Sequence, residues 1–284
     1  MSATSPPLEA TLAHASALDP LLGAEIGPLE ADWFPASALH DAGSAALAEG
    51  LAHIVRRYPR AARRVSGSFF VGEYTWYLLG AAAVAFLAEG RAPDLAPEGV
   101  ALRYSTYIWS EGDASGEAER LDVRFLSGRF AGLPGDPAAS HPDCLPLPNA
   151  AALRDWLRAG LEAHLAPLVA AVSAQTRLGA RAQWNLVADA AAAVFLHAGQ
   201  RLGGPERAQS EGLAFVKAPA SPLRNPGTGY VTIEAGDRCE SFRTRGGCCL
   251  FYKLDPGNNC TACVLRPAAE RNERLRAYVA GKHT

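Results

Sequence analysis

Four of the six cysteines in this 284-residue chain, Cys248, Cys249, Cys260 and Cys263, fall within sixteen residues as C-C-x10-C-x2-C. In a compartment that keeps thiols reduced, such crowding points to metal binding more than to disulfides. A C-x-x-C turn aims two sulfurs and several backbone N–H groups at one spot. The intervening DPGNN (255–259) is rich in turn formers, which lets the chain double back and bring Cys260 and Cys263 to face Cys248 and Cys249. Structural zinc is tetrahedral and draws mostly on two C-x2-4-C knuckles. Adjacent cysteines can both ligate one ion only with a strained backbone, whereas a [2Fe–2S] cluster spans a wider range of sulfur positions. Spacing therefore ranks iron–sulfur ahead of zinc, and zinc ahead of an unmetallated buried group, with all three open.

The cysteines lie in the basic part of the chain. Residues 201–284 carry a formal charge of +5 and residues 1–200 carry −7. Arg238, Arg243, Arg245, Lys253 and Arg266 are the candidate cations beside the site, each also readable as plain solvated surface. Cys144 and Cys239 read as small buried apolar groups, Cys239 lying close enough to support the site from behind. The seven histidines show no H-x3-H or HExxH spacing, and His164 and His197 read as ordinary helix residues. Trp184 and Asn185 read as core packing with a satisfied amide. Glu73 has two readings, a partner for a buried arginine or a wall of a binding cleft. GxGxxG, GxxxxGK[ST] and GxSxG are absent, which removes the usual marks of nicotinamide, P-loop and hydrolase chemistry and means that any electrons come from another protein.

The elements that must position these groups read as mainly helical. Residues 41–58 form an amphipathic pattern, with Asp41 or Ser44 as caps and arginines near its C-terminus; residues 68–88 are apolar apart from Glu73. That second stretch is long enough to cross a bilayer. Its internal charge, its two glycines and its weak basic flanks (Arg63, Arg64) favour a buried core helix. Residues 100–112 and 120–128 alternate and read as a hairpin around DASGEAE. A proline-rich loop from Gly132 to Pro148 follows, then helical spacing over 149–173 and 179–200. Residues 229–237 and 248–254 read as short strands, and a last helix starts at Pro267. The expected fold class is α+β, predominantly helical with a small antiparallel sheet and a C-terminal cysteine-rich metal segment. The expected division is residues 1–235 as a mainly helical body and 236–284 as the metal segment with the final helix. With 49% apolar residues and a pI near 6.4, the composition is that of a globular protein and excludes nucleic-acid binding through bulk positive charge. The first twenty residues carry no basic start followed by an apolar run, so the expected location is cytoplasmic.

RGGCCLFYKLDPGNNCTACVLRP resembles the C-terminal signature of the FhuF family, the cytosolic siderophore-iron reductases. The spacing agrees at all four cysteines, and Leu250, Phe251 and Tyr252 fit the family's apolar-aromatic continuation. The resemblance extends more weakly over roughly residues 45–280, through the SFF-containing helix, the HLAPLVAAV helix and Trp184–Asn185 in RAQWNLVADA. One departure is Val264, where the family usually places a proline that would stiffen the turn without supplying a ligand. The resemblance implies a [2Fe–2S] cluster ligated by Cys248, Cys249, Cys260 and Cys263. It also implies one-electron reduction of a ferric siderophore, with release of Fe(II), since hard oxygen donors hold Fe(II) far more weakly than Fe(III). Which side chains are catalytic stays open, the electron transfer itself running through the cluster. Expected partners are the ferric siderophore, a flavoprotein or ferredoxin as electron donor, and a membrane transporter in peripheral contact. The rival reading is a non-enzymatic protein whose four cysteines hold a structural zinc and mediate partner binding.

Overall fold

In the computed structural model, residues 6–111, 114–254 and 258–281 are described. In chain order they form α1 (Pro7–Leu18), β1 (Glu25–Ile26), β2 (Phe34–Pro35), α2 (Ala45–Arg57), α3 (Arg63–Glu89), β3 (Arg91–Pro93), β4 (Val100–Glu111) and β5 (Ala114–Phe125). There follow β6 (Phe130–Gly132), β7 (Cys144–Pro146), α4 (Ala150–Thr176), α5 (Ala180–Arg201), α6 (Pro205–Val216), β8 (Gly229–Ala235), β9 (Arg238–Thr244) and α7 (Ala268–Val279). Helices dominate and the sheets are small, so the α+β class holds.

The chain divides into two compact units. The first takes the residues up to Ala46 together with Tyr77–Leu168; the second takes Leu47–Trp76 and the residues from Val169 onward. In the first unit, β4 and β5 pair antiparallel from Val100↔Phe125 to Glu111↔Ala114, and β1 and β2 flank them in the order β1-β5-β4-β2. The hairpin is longer than its alternation indicated: β5 begins at Ala114 and ends at Phe125, because most of DASGEAE continues the ladder instead of looping. Gly112 and Asp113, at the connection, lie outside the described residues. The proline-rich loop carries β6 and β7, which join β3 in a second, three-stranded sheet. Of the stripe expected on α4 (Trp156, Leu157, Leu161, Leu165 and Leu168), the four leucines are fully buried; Trp156 is only half-buried, and Leu153 takes its place on the buried face.

Helix α3 starts five residues before its apolar run and ends at Gly90, whose positive φ of 64° and bond from its N–H to Phe86 O form a left-handed cap. Among the described residues it is the one helix long and apolar enough to cross a membrane, and 78% of its most apolar window is buried inside the fold. That burial fits the core-helix reading.

The second unit holds α2, the first half of α3, the end of α4, and α5, α6, β8, β9 and α7. Helices α1 and α6 were not legible in the sequence pattern. Both open on a proline in the first turn, and half of the four buried positions in each are Thr, Ala or Gly, so the buried stripe is only weakly apolar. The β8–β9 hairpin lays Ile233, Val231 and Phe242 against Leu275 and Val279 of α7. The expected strand over 248–254 does not form. Leu250 sits in the left-handed region at φ 63°, ψ 15°, which breaks extension, and Phe251–Lys253 close a 3₁₀ turn.

Candidate metal centre

Strand β9 delivers the chain to the first cysteine pair through Arg245, Gly246 and Gly247, and the path of those residues is set by one buried carboxylate. Asp189, in the middle of the apolar helix α5, accepts hydrogen bonds from Gly246 N (2.8 Å), Gly247 N (2.9 Å) and Thr228 Oγ1 (2.5 Å). Asn225 frames the other side, its Oδ1 accepting from Gly227 N (3.0 Å) and Thr228 N (2.8 Å). The fit leaves no room for side chains. A Cβ on Gly246 would lie 1.7 Å from Asn225 Oδ1, and one on Gly247 would lie 3.1 Å from Asn185.

At the double cysteine, the left-handed Leu250 turns backbone donors inward. Leu250 N–H points to the Cys248 sulfur and Phe251 N–H to the Cys249 sulfur. Ser68, on the first half of α3, donates to Cys249 O at 2.6 Å and ties the loop to that helix. The second knuckle closes with Cys263 N donating to Cys260 O (3.0 Å) and Leu265 N donating to Cys263 Sγ (3.4 Å). Arg266 staples this turn through Cys260 O (3.2 Å) and Asn259 O (2.6 Å), and Arg271 reaches Cys263 O at 3.4 Å. The DPG part of the connecting loop, residues 255–257, lies outside the described residues.

The fold thus brings the two knuckles together. Cys249 and Cys260 line one cavity and their thiols interact across the knuckles. A thiol donating to a thiolate holds Cys249 below the ordinary thiol range and pushes Cys260 above it, burial adding to the rise at Cys260. Cys248 is pushed up, chiefly by burial, and also feels Cys249 and Cys263. Among the described residues, no three His, Cys, Asp or Glu side chains gather around one point as a single ion requires. Backbone N–H groups aimed at the sulfurs are the kind of donor that stabilises a reduced iron–sulfur centre.

Of the candidate cations, Arg245 is the one that acts on Cys248, Cys249 and Cys260 together. Its Nε is buried without a hydrogen-bond partner among the described residues. Arg243 donates to Asp189 O at 3.0 Å, and burial, aided by Arg245, lowers its pKa to about 10. Arg266 supports the second knuckle. Arg238 instead donates to Val279 O at the end of α7, and Lys253 is exposed. Cys239 was expected to be buried but is exposed on β9, while Cys144 is half-buried on β7. The Asn185 amide is not satisfied: its Oδ1 is buried with no hydrogen-bond partner among the described residues. Glu73 pairs with Arg57, which is exposed and so is not the buried arginine of the first reading; the second holds, since Glu73 lines a cavity of ≈ 370 Å³ beside Cys249 and Cys260.

Asp189, Thr228, Asn225, Ser68 and Arg271 were missed at the sequence level. The one legible signal was an aspartate inside the otherwise apolar run LVADAAAAVF, which had to find donors somewhere.

A family model described as ferric iron reductase FhuF-like transporter matches residues 68–237. A second, the FhuF 2Fe-2S C-terminal domain, matches residues 245–265, a span that contains all four clustered cysteines and starts at Arg245. No curated protein matches the chain, and no solved structure matches it. The 2Fe-2S domain favours the cluster over the zinc alternative. With the first family model covering more than half of its length, the chain belongs to the FhuF-like ferric iron reductase family and carries that family's [2Fe–2S] domain.

Proposed function

We infer that this protein reduces ferric siderophores in the cytosol, with Cys248, Cys249, Cys260 and Cys263 holding its [2Fe–2S] cluster. In this reading residues 236–284 are the cluster segment and residues 1–235 the reductase body. The observation that carries it is the cross-knuckle pair Cys249–Cys260, which opens on a cavity shared with Arg245. When bound, the cluster supplies one electron at a time, the stoichiometry that Fe(III) reduction needs. The rest is done by the chain's own groups. Asp189 and Asn225 hold the approach to the first knuckle, Ser68 fixes the Cys249 carbonyl, and Arg266 and Arg271 fix the second knuckle. Arg245 places a positive charge where added electron density is accommodated. A flavoprotein or ferredoxin is the donor that fits a chain without nucleotide-binding motifs, and peripheral contact with a siderophore transporter would bring the substrate to it.

The test is anaerobic purification followed by metal and sulfide analysis, visible absorption and a single-turnover assay. The expected protein is reddish-brown with iron and labile sulfide in equal amounts. After chemical reduction it converts about one ferric siderophore iron to Fe(II) per cluster, the stoichiometry of a one-electron centre. A colourless zinc protein, or a cluster that a ferric siderophore does not reoxidise, overturns the reading.

A further inference from the structure

We propose that the ferric chelate docks in the cavity between the first half of α3 and the cysteine knuckles, in a notch that Gly72 keeps open. The inference rests on the reductase reading and adds where the substrate binds. Gly72, Glu73 and Trp76 share one face of α3, at i, i+1 and i+4, and line this cavity of ≈ 370 Å³ together with Arg245, Cys249 and Cys260. That volume falls in the usual range for small-molecule sites, about 300–1,000 Å³.

Gly72 is the informative residue. Glycine inside a helix costs up to about 1 kcal/mol relative to alanine and is normally explained by close packing or a positive φ. Neither applies here: a Cβ at Gly72 would meet nothing within 4 Å, and its φ is not positive. The space in front of it is therefore left for something other than this chain's side chains.

The lining describes the occupant. Cys249 and Cys260 line the same cavity, so a molecule seated at Gly72 lies beside two of the proposed cluster ligands. Glu73 is neutralised by Arg57, and Arg245 has no acidic partner among the described residues. Trp76, backed by His197 with ring centroids 5.4 Å apart, offers an aromatic wall. A cation, an aromatic face and a neutralised carboxylate suit an oxygen-donor chelate with an apolar backbone, placed with its metal end toward the sulfurs.

The experiment uses cluster-loaded, oxidised protein and the gallium(III) complexes of a trihydroxamate and a tricatecholate, which bind as ferric chelates do but accept no electron. Isothermal titration of wild type and Gly72→Phe is expected to show at least tenfold weaker binding in the variant for whichever complex the wild type binds. The visible spectrum and cluster potential should stay unchanged. Trp76→Leu, which adds no bulk, is a second arm with the same expectation and covers the case in which Gly72→Phe loses its cluster. Wild-type affinity in Trp76→Leu, or in a cluster-loaded Gly72→Phe, overturns the docking site while leaving the reductase reading intact. A wild-type protein that neither binds gallium chelates nor reduces ferric ones overturns both.

Discussion

Replacing Asp189 by Asn tests whether the buried carboxylate on α5 holds the cluster loop in place. The side chain is 1% exposed and accepts from Thr228 Oγ1, Gly246 N and Gly247 N. Asparagine keeps the shape but has one acceptor. With its oxygen facing Thr228 and Gly246, its amide N–H₂ faces the Gly247 N–H, donor against donor. A hydrogen bond to a charged group contributes about 1.5–3 kcal/mol, and a buried donor left unpaired costs about 1–3 kcal/mol. The remaining two bonds also fall from charge-assisted to neutral, roughly halving their strength. Counting the lost bond and the unpaired donor as one event of about 1.5–3 kcal/mol, and the two weakened bonds as about 1.5–2 kcal/mol together, the sum is on the order of 3–5 kcal/mol, to be set against a whole-domain stability of roughly 5–15 kcal/mol. Because the affected donors immediately precede Cys248, the loosening falls first on the knuckle. At about 1.4 kcal/mol per factor of ten, the closed loop loses about a hundredfold or more in its favour. The assay is the rate of iron transfer from oxidised protein to a strong Fe chelator, followed with the visible spectrum under argon, alongside a thermal melt. The expected result is much faster cluster loss with a lowered melting temperature. Loss within twofold of wild type, at full initial occupancy, would refute the reasoning.

Serine at any one of Cys248, Cys249, Cys260 or Cys263 should weaken or abolish the cluster spectrum, while serine at the exposed Cys239 or at Cys144 should leave it intact; an unaltered spectrum in two of the four ligand variants sinks the assignment. Arg245→Gln should lower the cluster potential, because one positive charge favouring the added electron is removed. Taken at about 8 Å and an effective dielectric near 20, that charge contributes about 2 kcal/mol before screening, so a shift of roughly tens of millivolts is expected in spectroelectrochemistry. An unchanged potential would show Arg245 to be electrostatically idle, and Arg243→Gln is a poorer probe because its bond to Asp189 O also holds structure. In the first unit, His164 is buried with Nδ1 2.6 Å from Leu95 O beside His40 and Glu98, and burial lowers its pKa to about 4. The unfolded chain takes up this proton near pH 6.5 and the folded one resists it until about 4, so stability is full above the higher value and falls by up to roughly 3 kcal/mol across that window. Melting temperatures from pH 7 to 4.5 should drop more steeply in wild type than in His164→Gln, and parallel curves would contradict the assignment.

The long helices and the β4–β5 hairpin were legible because their determinants are local: an unbroken apolar run without proline for α3, a leucine stripe for α4, alternation for the strands. The 248–254 segment was misread for a local reason as well. CCLFYKL has the composition of a strand, and nothing in it marks Leu250 as the left-handed residue that turns the backbone N–H groups toward the sulfurs. Gly112–Asp113 alone, not the whole of DASGEAE, separates the two long strands, since a Gly/Ser/Glu run can extend once a partner strand supplies the ladder.

For the site, the type and spacing of Cys248, Cys249, Cys260 and Cys263 marked a candidate metal segment, since thiolate chemistry is carried by residue identity, but left cluster, zinc and unmetallated readings open until the family match. Which charge serves the site was not readable. Five cations stood nearby in sequence, and only the folded chain separates Arg245 beside the sulfurs from Arg238 at the end of α7 and Lys253 in solvent. Asp189 lies 59 positions before Cys248, Ser68 far earlier still, and the notch at Gly72 exists only because α3 passes in front of the knuckles. Hydrogen bonds, screening and cavities depend on distance in space, and a sequence records distance along the chain; the sequence therefore determined which cysteines are candidates, and the tertiary structure decided their support, the charges beside them and the cavity in front of them.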